Sequence, residues 1–401
     1  MQTAPKLDRL VSIDALRGVA VLGILMMNVQ AFAMIAQAYD NPVAHMDMTG
    51  ANATVWAIAN TFFSVKFITI FSALFGAGIM LMVGEGEKTG KHQTRMTWLL
   101  VIGLIHAHVF WWGDILVSYA LFGMLAVRAR NWSVRKLLIW AAVMITVVGL
   151  LLTGLFASFT MIPDGIDPIK LGMALAPEDL ETLVATYQAG FIEHIGPNSS
   201  QALGGEIAGI LLFGGRVLGM MFVGMALFKT GFLSASWKSG HYLIIAVIAL
   251  AVGLGLSAWS THIALETNFD LAQKWSTFAA NYVGSLFAAF GYAALVMLIC
   301  KAKVFGFIVN IFAATGRMAF TNYLTQTLIM TFIFVGAPGL GLFGTLERVE
   351  QAQLVMAVWV LQLIWSPLWL SQFRFGPFEW LWRSLTYGKL QPMAKPTSTT
   401  G

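Results

Sequence analysis

A single cysteine, Cys300, in 401 residues excludes an internal disulfide and any thiolate metal cluster, since such sites need two or more sulfur ligands. Charge is equally scarce. Only 11% of the residues are charged against 58% hydrophobic, and the mean hydropathy is +0.75. That leaves too little polar surface to cover a water-soluble globule. The net charge of +5 comes from basic residues scattered over short loops, not gathered into a patch. The scatter argues against nucleic acid as a partner and makes the cations a record of membrane orientation. The seven histidines are dispersed, and no metal constellation emerges.

What the chain has in abundance is apolar runs. Windows of about 20 residues, the length that crosses ~30 Å of hydrocarbon, fall at 12–35, 64–83, 94–111, 113–128, 136–160, 207–228, 242–260, 275–300, 316–336 and 351–371. The expectation is an all-α, polytopic integral membrane protein of about ten transmembrane helices, a single membrane domain over 1–391. The run after Lys6 and Arg9 is too long for a signal-peptide core and has no small-residue cleavage site, so it reads as a retained first span.

Lys and Arg concentrate in cytoplasmic loops. Placing both termini in the cytoplasm puts there Lys6 and Arg9, Lys88, Lys91 and Arg95, Arg128, Arg130, Arg135 and Lys136, Lys229 and Lys238, Lys301 and Lys303, and Arg374, Arg383, Lys389 and Lys395. Exterior loops then hold only Lys170, Lys274 and Arg348, with acids such as Asp40, Asp47, Asp164, Asp167, Glu178, Asp179, Glu181 and Glu193. The longest exterior segment, 161–206, reads as a short amphipathic helix at about 177–190 within irregular chain. An interfacial helix is expected at about 376–388, where aromatics alternate with charge, and a disordered tail over 392–401.

Charges inside the spans carry the functional signal, because each costs on the order of 2.5–3.5 kcal/mol to insert. Asp14 and Arg17, three residues apart on the first helix, share a face. They read either as a self-neutralising pair at the boundary or as part of a pocket in which Arg17, with Lys66 and Arg317, receives phosphate groups. Arg216 follows Gly214 and Gly215 and has no acid on its own stretch after Glu206, so its partner comes from another helix, a carbonyl or a ligand. His106, past the midplane in the third span, is suited to proton transfer near neutrality, and Asp114 across the next turn can fix its tautomer. It reads equally as a buried interhelical donor. His108 projects to another face as an interfacial residue. Asn322 and Gln326, at i and i+4 beyond Arg317, line one stripe, either as helix-joining polar groups or as the wall of a substrate path.

Two other motifs carry no chemistry. Gly86 to Lys91 is one residue short of a phosphate loop, with His92 in place of the hydroxyl residue and no strand before it. The sequons at Asn52 and Asn198 are short patterns with a high chance rate. No internal repeat is found.

The string Arg9-Leu10-Val11-Ser12-Ile13-Asp14-Ala15-Leu16-Arg17-Gly18 with Asn28, Lys66-Phe67 through Phe71 to Gly78, and Gly103-Leu104-Ile105-His106-Ala107 with Gly113-Asp114-Ile115-Leu116 and Tyr119 resemble the YeiB-like family of bacterial inner-membrane proteins. So do Gly316-Arg317-Met318-Ala319 with Thr321-Asn322-Tyr323, and Gly376 to Arg383 with Thr386-Tyr387-Gly388. That family is similar, chiefly through Asp-x-x-Arg-Gly in the first helix, to transmembrane acyltransferases that include the lysosomal heparan-glucosaminide acetyltransferase. The resemblance implies a bacterial inner-membrane location, an acyl-CoA donor, acetyl-CoA first, and a glycan or other acceptor across the membrane. It places Arg17 by the donor's path, and Asp14, Lys66 and Arg317 join it as donor-binding candidates from their charges within the spans. In the lysosomal relative the reactive histidine follows the first helix on the far side, where this chain offers only His45. His106 fits this family's own pattern better.

Two functions follow as expectations. In the first, the protein is an acyltransferase with His106, Asp114 and His45 as catalytic candidates, and Asn28, Arg216, Asn322, Tyr323 and Gln326 toward the acceptor. In the second it is a transporter or flippase, with Arg17, Arg216 and Arg317 lining an anion pathway. Broken helices and repeated halves mark such proteins, and here only a break before Gly316 is visible. A sensor or scaffold is a third class, without a large soluble domain to support it. The bilayer is the expected partner, and a homodimer is left open.

Overall fold

The computed structural model describes residues 10–84, 89–162, 166 and 168–395. Lys6, Arg9, Lys88, Asp164, Asp167, residues 86–88 of the 86–91 motif and residues 396–401 lie outside the described residues, as does the side chain of Lys303. The described chain is all-α. Its helices are α1 Val11–Ala33, α2 Gln37–Asp40, α3 Gly50–Phe62, α4 Lys66–Val83, α5 Gly90–Ile105, α6 Leu116–Ala126, α7 Val134–Ala157 and α8 Pro177–Ala189. They continue as α9 Phe191–Ala208, α10 Gly214–Lys229, α11 Ser239–Glu266, α12 Lys274–Lys301, α13 Gly306–Arg317, α14 Ala319–Phe334, α15 Arg348–Gln372 and α16 Pro377–Tyr387. Two π-helical turns, His106–Phe110 and Gly209–Phe213, follow α5 and α9.

Among the described residues, seven helical segments are long and apolar enough to cross a membrane, which makes the protein a polytopic membrane protein. The windows at 94–111, 113–128 and 316–336 hold α5, α6 and α14, shorter helices of 16, 11 and 16 residues. The apolar span expected at 207–228 begins much earlier. α9, its π-helical turn and α10 form one helical segment from Phe191 to Lys229, despite Pro197 within α9. The irregular part of the 161–206 loop therefore ends at α8, which sits where the sequence places it.

α1 is the central element, with 72% of its span buried against 28% for the spans containing α7, α11 and α15. It packs on α4, α12, α13, α14 and α15. Its closest neighbour is α13, because Gly18 faces the Phe312 carbonyl and Gly316 faces the Asp14 carbonyl with no room for a Cβ at either. A second glycine contact joins α4 to α10, where Gly76 meets the Met221 backbone and Gly224 the Ala73 backbone. Small residues at such crossings let membrane helices approach to backbone contact. The peripheral helices turn leucines and isoleucines outward, Leu150 and Leu151 on α7 and Ile364 and Leu368 on α15, as a lipid-facing belt requires.

One end of the bundle carries α16, packed on α5 and α14, and is called here the basic end. The other carries α8, whose Gln188 amide donates to the Phe343 carbonyl, and is called the acidic end. The tail stays on the body further than expected: Ala394 pairs with Phe373, and Lys395 donates its amide to the Gln372 carbonyl.

Candidate functional site

A cavity of about 290 Å³ opens at the basic end and runs between α4, α5, α6 and α14. Its mouth holds three guanidinium groups from three helices: Arg17 of α1, Arg95 of α5 and Arg317 at the end of α13. Its walls are apolar, with Phe71, Phe75, Leu99 and Leu116 among them, and its inner end is formed by Tyr119 and Tyr323.

Each cation is fixed locally. Arg17 donates to Asp14 at 2.9 Å, the i,i+3 pair legible in the sequence. The Arg95 guanidinium lies over the Trp382 ring, 3.8 Å from its centroid, and the Trp382 indole donates to the Arg95 carbonyl at 2.9 Å. That stacking holds a guanidinium without neutralising it. Glu379 is the carboxylate on the lining, and its oxygens are engaged elsewhere: they accept from the Phe320 and Thr321 amides at 2.8 and 3.0 Å and from the Thr321 hydroxyl. Glu379 thus caps the N-terminus of α14, where the broken α13–α14 segment exposes amides. Burial pushes its carboxyl above the usual range, and these hydrogen bonds oppose the rise. The mouth keeps an excess of positive charge.

Beyond the inner end lies the His106–Asp114 pair. His106 Nδ1 sits 2.7 Å from Asp114 Oδ1, and Nε2 sits 2.9 Å from the Thr327 hydroxyl. Asp114 Oδ2 accepts from the Val117 amide at 2.8 Å, so the start of α6 holds the carboxylate still. Both side chains are buried, at 4% and 0% exposure. A carboxylate against Nδ1 keeps the ring proton there and leaves Nε2 to exchange a proton with a reactant. The Tyr323 ring packs on His106 with centroids 5.3 Å apart and forms the wall between the pair and the cavity. The Tyr323 hydroxyl is buried beside the Ile115 amide without a full hydrogen bond.

The structure brings together Asp14, Arg17, Arg317 and Tyr323 around this cavity, with His106 and Asp114 directly behind. It removes others. Lys66, expected beside Arg17, starts α4 and donates to the Asn60 carbonyl and to Asn281 Oδ1, both at 3.0 Å. The reason is helix direction: Lys66 begins α4, whereas the cavity lies along its later turns, from Phe71 to Met82. Arg216 joins that separate group. It donates to the Thr69 and Ser285 hydroxyls at 3.1 and 2.8 Å and stacks on Tyr282 at 4.2 Å, so its partners come from other helices.

Asn322 and Gln326 are helix-joining groups, not cavity wall. Asn322 donates to the Thr315 carbonyl and the Ser366 hydroxyl and accepts from the Trp365 indole. Gln326 donates to the Val21 carbonyl and to Gln362. Asn28 is half-buried on α1, away from the lining. His45 is also apart, in the acidic-end cap 6.5 Å from the Phe343 ring. Burial and the neighbouring Arg348 hold it below the usual imidazole range.

Sequence reasoning missed Arg95, His92, Tyr119, Glu379 and Trp382, all on the lining. A signal existed for part of the set. His92, Arg95, Met96 and Leu99 recur at helical spacing, which makes one stripe of α5. Nothing local links that stripe to Glu379 and Trp382, nearly three hundred residues on.

Comparison with known proteins gives the lineage. A family model described as a protein of unknown function (DUF418) matches residues 227–389. The chain is 35% identical to the uncharacterized protein YeiB of Escherichia coli, over 98% of this chain and 100% of that one. It is 29% identical to the uncharacterized protein YxaH of Bacillus subtilis, over 97% of each chain. An uncharacterized 39.9 kDa protein encoded in the amylase 3' region of Bacillus acidopullulyticus is 25% identical over 96% of each. With a match of that identity over its whole length, this polytopic membrane protein belongs to the YeiB family.

Proposed function

We propose that the protein is a bacterial inner-membrane acyltransferase that moves an acyl group from cytosolic acyl-CoA to a hydroxyl or amine of an extracytoplasmic glycan or lipid-linked acceptor. The chain crosses the membrane ten times, with both termini and the basic end in the cytoplasm. One observation carries the reading: a single cavity leads from three guanidinium groups to the tyrosine that packs on a buried His–Asp pair.

The lining suits such a donor. Arg17, Arg95 and Arg317 match a head of several phosphates through charge-assisted bonds, and the apolar walls match an uncharged arm. The thioester supplies an activated acyl carbon. His106 then takes the acceptor proton at Nε2 while Asp114 holds Nδ1 and stabilises the imidazolium, and the ring returns that proton to the departing thiolate. Tyr323, between ring and cavity, has a hydroxyl placed to orient the acyl carbonyl.

The test is purified protein in nanodiscs with labelled acetyl-CoA and candidate acceptors, scoring acceptor-dependent thiol release. His106→Gln is expected to lower kcat by about 10²-fold or more, and Arg95→Gln to raise KM for the donor with kcat little changed. Wild-type rates from a His106→Gln, His45→Gln double variant would exclude both histidines and with them this mechanism.

A second reading, transport of an anionic or lipid-linked substrate, is favoured by the break between α13 and α14 beside Arg317, a feature of secondary transporters. Substrate flux in proteoliposomes without chemical change would establish it.

A further inference from the structure

Outside the cavity, a second group of ionisable side chains lies against the His106–Asp114 pair on its acidic-end side. His108 Nδ1 is 2.8 Å from the Ser199 hydroxyl, and His108 Nε2 is 3.6 Å from Glu206 Oε2, within ion-pair reach. The other Glu206 oxygen, Oε1, is buried and has no hydrogen-bond partner. The helical turn bearing Glu206 packs on the turn bearing Asp114: Gly205 faces the Trp112 carbonyl and Gly209 faces the Ser118 hydroxyl.

Exposure rises in steps along this series. The side chain of Asp114 is fully buried and that of His106 is 4% exposed, while Glu206 is 14% and His108 30% exposed. Both π-helical turns found among the described residues flank the group, and such turns are frequent at functional sites. The first is pinned open by Asn198, which donates to the Ala107 and His108 carbonyls and accepts from the Trp112 amide. The winding thereby turns His106 inward and His108 outward, two residues apart.

We propose that Glu206, His108 and Ser199 are the proton connection between the buried His106–Asp114 pair and the aqueous phase at the acidic end. Once His106 has gained a proton at Nε2, its Nδ1 proton moves to the Asp114 carboxylate, from there to Glu206, and then to His108 Nε2, as His108 releases its Nδ1 proton through the Ser199 hydroxyl to water. Each group gives up one proton for each it receives, and the reverse sequence recharges His106. The groups facing this path are Asp114 before α6, Glu206 on α9, His108 on the π-helical turn and Tyr323 on α14. The acyltransferase cycle proposed above returns its proton to the thiolate, so the proposal rests on that reading only for the use of the path in resetting the protonation of His106 between turnovers, and on the orientation proposed above for calling that phase the exterior.

The experiment is nuclear magnetic resonance of protein labelled with ¹⁵N-histidine in nanodiscs, measuring exchange of the His106 Nδ1 proton with water. Glu206→Gln and His108→Phe are each expected to slow that exchange by about tenfold or more, with the shift of the Asp114-bonded proton unchanged. A structural role predicts the opposite, since loosened packing speeds exchange. His262→Gln, in an exposed pair with Glu266, serves as the control and leaves exchange unaltered. Exchange as fast as wild type, or faster, in either variant overturns the path. If the variants do not fold, wild-type proteoliposomes decide: exchange must follow the pH on the acidic-end side, and dependence on the other side overturns the proposal. No donor or acceptor enters these measurements, so a protein without acyltransferase activity can still support the path, and an active one can still lack it.

Discussion

Gly316 sets how closely the central helix can be held. Its Cα lies against the Asp14 carbonyl, and Gly18 faces Phe312 in the same crossing, so the residue that carries the Asp14–Arg17 pair is also the residue that α13 touches. Gly316→Ala is therefore expected to cost about 1–3 kcal/mol by overpacking and to disturb Arg17. Gly154→Ala, where an added Cβ meets nothing, is expected to be neutral or to stabilise by about 0.5–1 kcal/mol through helix propensity. Thermal unfolding of both variants in one detergent checks the contrast. At this scale the sequence is informative where partners are near in the chain. Asp14 with Arg17, and His106 with Asp114, are close enough in number for helix and turn geometry to predict their meeting, and they meet. Lys66 and Arg216 show the limit, because a helical charge is assigned to a cluster only when the end of the bundle it occupies is known.

The α13–α14 break is an element-scale device. A helix that starts within a membrane protein exposes amides that lipid cannot satisfy, and here they are met by Glu379 from α16. Because burial raises the Glu379 carboxyl above its ordinary 4.5, the folded state binds this proton more tightly than the unfolded state. Its contribution to stability is thus present at low pH and is lost as pH rises from about 4.5 through the raised folded value. The melting temperature of the wild type is expected to fall across that window. Glu379→Gln, which keeps an acceptor for the amides and cannot ionise, is expected to flatten the slope, read by melting at stepped pH. Most of the longer helices were legible from apolar windows, and α8 from its pattern, whereas α3 and nearly all of α13 fall outside every window. The helical segment containing α9 was not, since Pro197 and three glycines read as loop while packing on the first π-helical turn holds them in a helix.

For the whole molecule, orientation is the property most open to a direct test. In a Cys300→Ala background, Asp179→Cys is expected to react with an impermeant thiol reagent from outside intact cells. Gln391→Cys is expected to react only in inverted vesicles. Labelling of both from one side would contradict the five crossings proposed between them.

Composition and periodicity alone determined that this chain is an all-α protein of lipid, because burying so many apolar residues without enough polar cover leaves the bilayer as the only suitable solvent. They also determined which short-range charged pairs form, since helix geometry brings residues three or four apart together whatever else the chain does. Only the tertiary structure decided which cations share a mouth. Arg17, Arg95 and Arg317 are joined to Glu379 and Trp382 by the packing of α1, α5, α13 and α16, and such packing depends on where glycines admit close approach and on which end of each helix faces which phase, neither of which any local window of sequence contains.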